Sequence, residues 1–575
     1  MKHLWPVAIF AAASASMSAQ TIDAGRNVQV SRLHPADTHY ELLVAADPSD
    51  ASRLIVGSFR YPFGTTRAGT VVYATRDGGK SWSPTLEGSA LENTSDPATA
   101  FGADGSAYYA AAWLGPANTP REQREMLMFR SRDGGFTWGA PSKFTYSDRE
   151  YITVDRTKGK YAGRVYVNGN NRVPYGVSDF VVFRSNDKGK TWEGPGKRRD
   201  FGKHTVGMMG NAVVASDGTI VGVFEENSDI RAIRSLDGGE TLTDASDVDT
   251  AYVIPGNRKG TNNNVTAMPA IAIDESAGAS RDNVYAVWAD RRSGNSRIRF
   301  ASSKDKGVTW SSSVVIDAMP AGDTTDNFMP TIAVNRDGII AVMWYDRRDH
   351  PDNLGWDVEM TASTDGGKTF LQPARVSEKG MTFGAGARWT ALKAAVSKSK
   401  DTLSAPLTLD VSLNTFTYLG GDTNGLVADA AGVFHPVWID NRNGTPQVWT
   451  APVRVISAKQ SGSDVSSKVS VDVSDASFDP ATGIITVVAR LRNSSPETLR
   501  GPFNVRAVHL DSELGTPAAT GNDWTFADAV LAPGAATQAR TWHFVLDNPQ
   551  SYRNGNRYRL GLLKMRFAVT SGAAR

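Results

Sequence analysis

Carboxylates and arginines stand side by side at several places in this chain of 575 residues. Glu225-Glu226, Asp290-Arg291-Arg292, Asp346-Arg347-Arg348 and Asp440-Asn441-Arg442 each close a short apolar run, and Arg60 closes another. Two carboxyl groups in one cleft can divide the work of general acid and general base, and arginines beside them can grip a carboxylate in fork geometry. On that reading Glu226, Asp290 and Asp346 are acid/base candidates, while Arg60, Arg291, Arg347 and Arg442 bind substrate. Tyr418, within Tyr418-Leu419-Gly420-Gly421-Asp422, is a nucleophile if an acidic residue activates it and a packed aromatic otherwise. A structural reading competes. Val287 to Arg292, Met343 to Arg348 and Val437 to Arg442 are versions of one motif. A catalytic constellation is asymmetric, whereas a scaffold device repeats. Glu225-Glu226 reads as a solvated pair ahead of a general base, and His350, before Pro351, as a loop residue ahead of a ligand or proton carrier.

The elements that would position these residues are short strands. From Glu41 the chain falls into units of three strands, a tight turn and a fourth strand, and the charged residues follow the second strand of each unit. The turn has the form Ser/Thr-x-Asp-x-Gly-x-Ser/Thr-aromatic and occurs at Thr75 to Trp82, Ser131 to Trp138, Ser185 to Trp192, Ser235 to Leu242, Ser303 to Trp310 and Ser363 to Phe370. Its Asp is expected to accept from backbone amides two residues on, with the hydroxyls doing the same more weakly. Gly79, Gly135, Gly189, Gly239, Gly307 and Gly367 are expected at positive φ. The closing aromatic, or Leu242, should pack between sheets.

Six such turns resemble the Asp-box, or bacterial neuraminidase repeat, of the sialidase superfamily, over roughly residues 26 to 457. The resemblance implies an all-β propeller. Beyond the last turn, Gly425 to Asp429, Val433 to Ile439 and Gln447 to Val455 announce one more unit with only three strands. A lone strand at Asn27 to Arg32 would complete it and close the ring. That makes seven blades. Third-to-fourth strand turns and second-to-third loops lie on opposite faces of such a disc, so the Asp turns mark the structural face and the charged residues gather on the other. Connections between blades add Asp148, Arg149, Glu150, Asn262 to Asn264 and Asp323 to Asn327 to that face. By resemblance the chain is an exported glycoside hydrolase acting on an acidic glycan in exo-sialidase fashion. A polysaccharide lyase using Tyr418 or His350, and a noncatalytic propeller binding glycan or protein, stay open as alternatives.

Composition narrows the rest. With 62 basic and 60 acidic residues the formal charge is +2, which points to no nucleic-acid groove. The chain has no cysteine, which excludes a disulfide, a thiolate metal site and a lipoprotein anchor. No metal or cofactor motif stands out, and the expected partner is a glycan or polysaccharide. Residues 1–19 read as a signal peptide, with Lys2 and His3 ahead of an apolar run, so a secreted or periplasmic location is expected. Residues 26–457 form the propeller and 458–467 a linker. Residues 468–575, rich in period-2 alternation and free of the repeated turn, read as an immunoglobulin-like β-sandwich. Oligomeric state is not written in the sequence.

Overall fold

A computed structural model describes residues 20–571 except 64–67, 117, 172–177, 199–205, 251–267, 321, 351–354, 382–419, 458–462, 466–467, 480–483, 512–516, 520–522, 527–529 and 547–563. Two units are present, one of Ile22–Val455 and another made of the described residues from Ile456 onward together with Gln20 and Thr21. The first is an array of antiparallel meanders. Its opening sheet runs Thr38–Ala46, Leu54–Tyr61, Gly69–Thr75 and Ser83–Leu86 in spatial order, and the pattern recurs along the chain. Second strands such as Ile340–Asp346 are buried along their whole length, because each lies between neighbouring sheets and both of its faces meet apolar side chains. The third sheet departs from the pattern. It has three strands, and its fourth position holds only the Arg184–Glu193 bridge, while Lys197–Arg198 pairs in parallel with Thr241–Leu242 of the following turn.

First strands lie innermost. Thr38–Ala46, Thr94–Phe101, Asp148–Val154, Val206–Val214, Ala270–Ile273, Phe328–Val334 and Gly425–Ala428 stand each beside the next, and the last returns to the first. Sheets of four strands arranged in this way have the architecture of a β-propeller. The short strand Val28–Gln29 closes it: Val28 pairs with Thr450 and Gln29 with Trp449. Gln447 fastens this seam, its Oε1 accepting from Ser31 Oγ at 2.6 Å and Gln29 Nε2 at 3.0 Å while its Nε2 donates to the Asp37 carbonyl at 2.6 Å. Its side chain is buried, and the bonds to Ser31 and to the Asp37 carbonyl are made out of reach of water.

The repeated turn is built differently from the expectation in one respect. In the second copy it is Ser131 Oγ that accepts from the amides two and four residues on, at Asp133 and Gly135. Asp133 reaches further, accepting from the amides of Phe136 at 3.1 Å and Thr137 at 2.9 Å and from the Thr137 hydroxyl at 2.9 Å. Burial works against the carboxylate's charge, but these hydrogen bonds outweigh it and hold Asp133 down to about 2. The glycines behave as expected: Gly135 has φ 96°, and a Cβ there would stand 2.4 Å from Ile55 Cγ2. Closing residues pack inward, Trp82 and Leu242 being buried outright.

The second unit has two four-stranded sheets. One is Ser463–Asp464, Lys564–Ser571, Phe503–Asp511 and Asp523–Phe526; the other is Val469–Asp479, Ile484–Asn493, Arg540–Leu546 and Pro517–Ala519. Leu491, Phe503 and Val505 are buried in it. The stretch read as a linker, 458–467, is not all linker, since Ser463 and Asp464 pair with Ser571 and Thr570.

Two stability measurements follow from this bonding. Gln447→Ala leaves buried partners unsatisfied and should lower the unfolding free energy by about 1–3 kcal/mol in urea titration. Asp187→Ala, in a turn that repeats the Asp133 pattern, should cost about 1–2 kcal/mol and leave any ligand binding at the opposite rim unchanged.

Candidate active site

The register places the two rims. Thr38, which opens a first strand, faces Tyr61 at the end of the second, whereas Leu54 faces Thr75, where the repeated turn begins. Starts of first strands and ends of second strands therefore share the rim away from the turns, as the sequence reading requires.

The predicted residues on that rim hold partners of their own. Asp346 accepts from Arg348 through the backbone N–H at 2.8 Å, Nε at 2.9 Å and Nη2 at 2.7 Å, and from Trp344 Nε1 at 2.8 Å. Asp440 repeats the arrangement with Arg442 N–H and Nε and with Trp438 Nε1, and Asp290 repeats it with Arg292. The motif Asp-x-Arg is thus a clamp that locks the chain as it leaves three of the second strands, with the preceding tryptophan donating to the aspartate in two of them. Arg442 also stacks on Trp449 at 4.3 Å. Arg347 is fully buried, 4.6 Å above the Phe328 ring. Arg60 is ion-paired to Asp37 at 2.7 Å and to Glu87, and Arg291 donates to the Gly294 carbonyl. Glu226 is buried, opposite Val206 and Asp229. His350 meets Asp357 at 3.1 Å. Tyr418 and the run 262–264 lie outside the described residues.

A different group of charges gathers at the axis. Pairing skips a step between Tyr40 and Leu42, between Ser95 and Ala98, between Asp148 and Tyr151, and between Phe328 and Thr331. In each gap sits a non-glycine residue with positive φ: Glu41 at 45°, Asp96 at 51°, Arg149 at 57° and Met329 at 52°. A bulge re-aims a side chain, and a left-handed backbone at a bulky residue is a strain that the surrounding sheet must hold. Here it happens at the same place in four inner strands.

Arg149 is the centre of this group. Its Nη2 lies 2.8 Å from Asp422 Oδ2, and its backbone N–H donates to Asp96 Oδ2 at 3.2 Å. Burial opposes its charge, but Asp422, Asp148, Asp96 and Glu41 together outweigh that and raise it. The carboxyls are affected in the opposite sense. Burial, reinforced by Asp148 and Asp422, lifts Asp96 to about 7. Burial lifts Glu41 well above the ordinary carboxyl range, helped by Asp422 and Asp96, and does the same for Glu150, helped by Asp96. Glu150 is 3% exposed, and neither of its carboxyl oxygens meets a donor from another described residue. Gly421 allows the last sheet to approach, since a Cβ there would stand 2.3 Å from Glu41 Cγ. Asp422 and Tyr151 also line an axial cavity of about 170 Å³ among the inner strands.

Arg149, Asp148 and Glu150 were within the sequence reading, whereas Glu41, Asp96 and the role of Asp422 were not. One signal was available. Asp96-Pro97-Ala98 occupies the position of Met268-Pro269-Ala270 and Met329-Pro330-Thr331, and superposing those stretches singles out the residue before proline.

No family profile and no curated protein matches the chain. Among solved structures it is similar to the Hadza microbial sialidase Hz136, with 17% identity and TM-score 0.38 over 61% of this chain and 68% of that one. A point mutant of the NanB sialidase of Streptococcus pneumoniae gives 8% identity and TM-score 0.39 over 75% and 98%. An α-L-arabinofuranosidase of Fusarium graminearum gives 15% and 0.37 over 63% and 93%. The architecture rests on its own strand pairing.

Asp96 makes stability depend on pH in a definite direction. With its folded-state value raised to about 7, the native state keeps a proton that the unfolded chain has already released above about pH 4. This contribution is fully present below the unfolded value and is lost as pH rises through 7. The melting temperature should fall between pH 5 and pH 8, and Asp96→Asn should flatten that fall.

Proposed function

We propose that the ring is a seven-bladed propeller, followed by an immunoglobulin-like sandwich, and that the chain is an exported glycoside hydrolase working at the axial mouth. The observation that carries this reading is the set of carboxyls around Arg149. Their environments differ, as the division between acid and base requires. Asp96, near 7 and partly exposed, is the proton donor to the glycosidic oxygen as the bond to the anomeric carbon breaks. Asp422, ion-paired with Arg149 at 2.8 Å and facing the cavity, is the carboxylate that faces the developing positive charge and receives a proton from the attacking water. Arg149 positions it.

The same charges argue for an uncharged sugar in place of the acidic one expected from sequence. Arg60 and Arg442 are already paired with carboxylates, and Arg347 is fully buried. At the axis the Arg149 guanidinium is itself ion-paired with Asp422 at 2.8 Å, so it too is already committed to a carboxylate of the chain.

The test is hydrolysis of a panel of neutral and acidic aryl glycosides. Asp96→Asn and Asp422→Asn should each lower kcat by about 10²–10⁴, and Asp346→Asn should act mainly on stability. Turnover that survives both axial substitutions, or a clear preference for sialosides, would overturn the proposal. Binding of glycan without any product would favour a noncatalytic propeller.

A further inference from the structure

A row of aromatic rings leads away from the axial carboxyls. Tyr40 stands directly opposite Phe59 in the first sheet, and Tyr61 follows two residues on, so the three share one face. Their rings lie nearly parallel, Tyr40 to Phe59 at 4.3 Å and 26°, Phe59 to Tyr61 at 6.3 Å and 25°. Gly57 belongs to the same face, and a Cβ there would stand 2.9 Å from Tyr109 and 3.0 Å from Pro97, so the row looks toward the second sheet. Its inner end meets the charged group: burial raises the Tyr40 hydroxyl well above the usual phenol range, and Glu41, Tyr61 and Asp96 add to that. Exposure grows outward, from 8% at Phe59 through a half-buried Tyr61 to 64% at Phe63.

Phe63 is held in its exposed position. Its backbone N–H donates to Asp37 Oδ1 at 2.9 Å, and the other oxygen of that buried carboxylate pairs with Arg60 Nε at 2.7 Å. An exposed ring on a fixed backbone has little freedom left to lose when a ligand packs on it. Flat apolar faces, with phenol hydroxyls at Tyr40 and Tyr61, suit a ligand that is amphipathic in the same way. A pyranose is such a ligand, since its ring faces carry C–H groups and its edge carries hydroxyls. Continuity of the row with the axial mouth makes a glycan the occupant.

We infer that Tyr61 and Phe63 form a sugar subsite at the outer end of this row, which takes one ring of an oligosaccharide by its C–H face while another ring of the same chain lies at the axial carboxyls. This rests on the glycoside-hydrolase reading and specifies a chain as its substrate. Because Asp96, the proton donor, stands at the inner end of the row, the ring held at the outer end belongs to the leaving group. The test reads binding and needs no turnover. Cellohexaose, xylohexaose, mannohexaose and maltohexaose are titrated by NMR against the full-length protein, each beside its own monosaccharide. At least one hexasaccharide should bind about tenfold tighter than its monosaccharide, equivalent to about 1.4 kcal/mol. Phe63→Ala should remove most of that advantage. Phe63→Trp, which keeps a flat face, should retain it, and Phe63→Leu, which keeps apolar bulk without the face, should not. No tighter binding of any hexasaccharide, or the full advantage in Phe63→Ala or Phe63→Leu, overturns the inference. Phe63-dependent binding without hydrolysis of any of these chains would uphold the subsite and count against the catalytic roles of Asp96 and Asp422.

Discussion

Several buried carboxyls cannot all ionise around one guanidinium. At the axis of this molecule Arg149 meets Asp422 and Asp96 directly, with Glu41, Asp148 and Glu150 within electrostatic reach. Each negative charge raises the cost of the next, so the group divides into members that keep a proton and members that do not. That division, more than any single side chain, separates this rim from the opposite one. There, Asp133 and its counterparts sit among donors that favour the charge and hold their protons off. The same residue type is thus given opposite properties at the two ends of a sheet, by burial at one and hydrogen bonding at the other.

The backbone makes the axial arrangement. A strand without a bulge alternates its side chains between the two neighbouring sheets and points none of them along the pore. The extra residue at Glu41, Asp96, Arg149 and Met329 breaks that alternation, and positive φ turns the side chain. What holds the strained residues is the sheet itself, since each bulge is followed by normal pairing, as at Leu42 with Ser58 and Tyr151 with Asn168. Close approach of the last sheet at Gly421 completes the enclosure.

Much of this was legible in the sequence and some of it was not, for reasons that can be named. Strands and turns repeat, so each copy supports the others, and the positive φ of Gly135 and Gly367 follows from a turn that only glycine accommodates cheaply. The pairing of Val28 and Gln29 with the last sheet was readable because three strands there lacked a fourth. The axial residues are single insertions of one position, and period-2 alternation carries no mark for them. Asp290, Asp346 and Asp440 drew attention through their recurrence, and that recurrence is what the Asp-x-Arg clamp explains. Tyr418 falls in a stretch that the structure does not describe.

The strand that seals the ring is made long before it can be used. On the ribosome, Val28 and Gln29 emerge long before Trp449 and Thr450 exist to receive them, so the nascent chain carries an unmatched edge through most of its synthesis. Such long-separation pairings slow folding and leave sheet edges available to other chains. Maturation of this protein should accordingly be governed by how late that seam forms, and concentrated refolding from denaturant should favour strand exchange between molecules over closure within one.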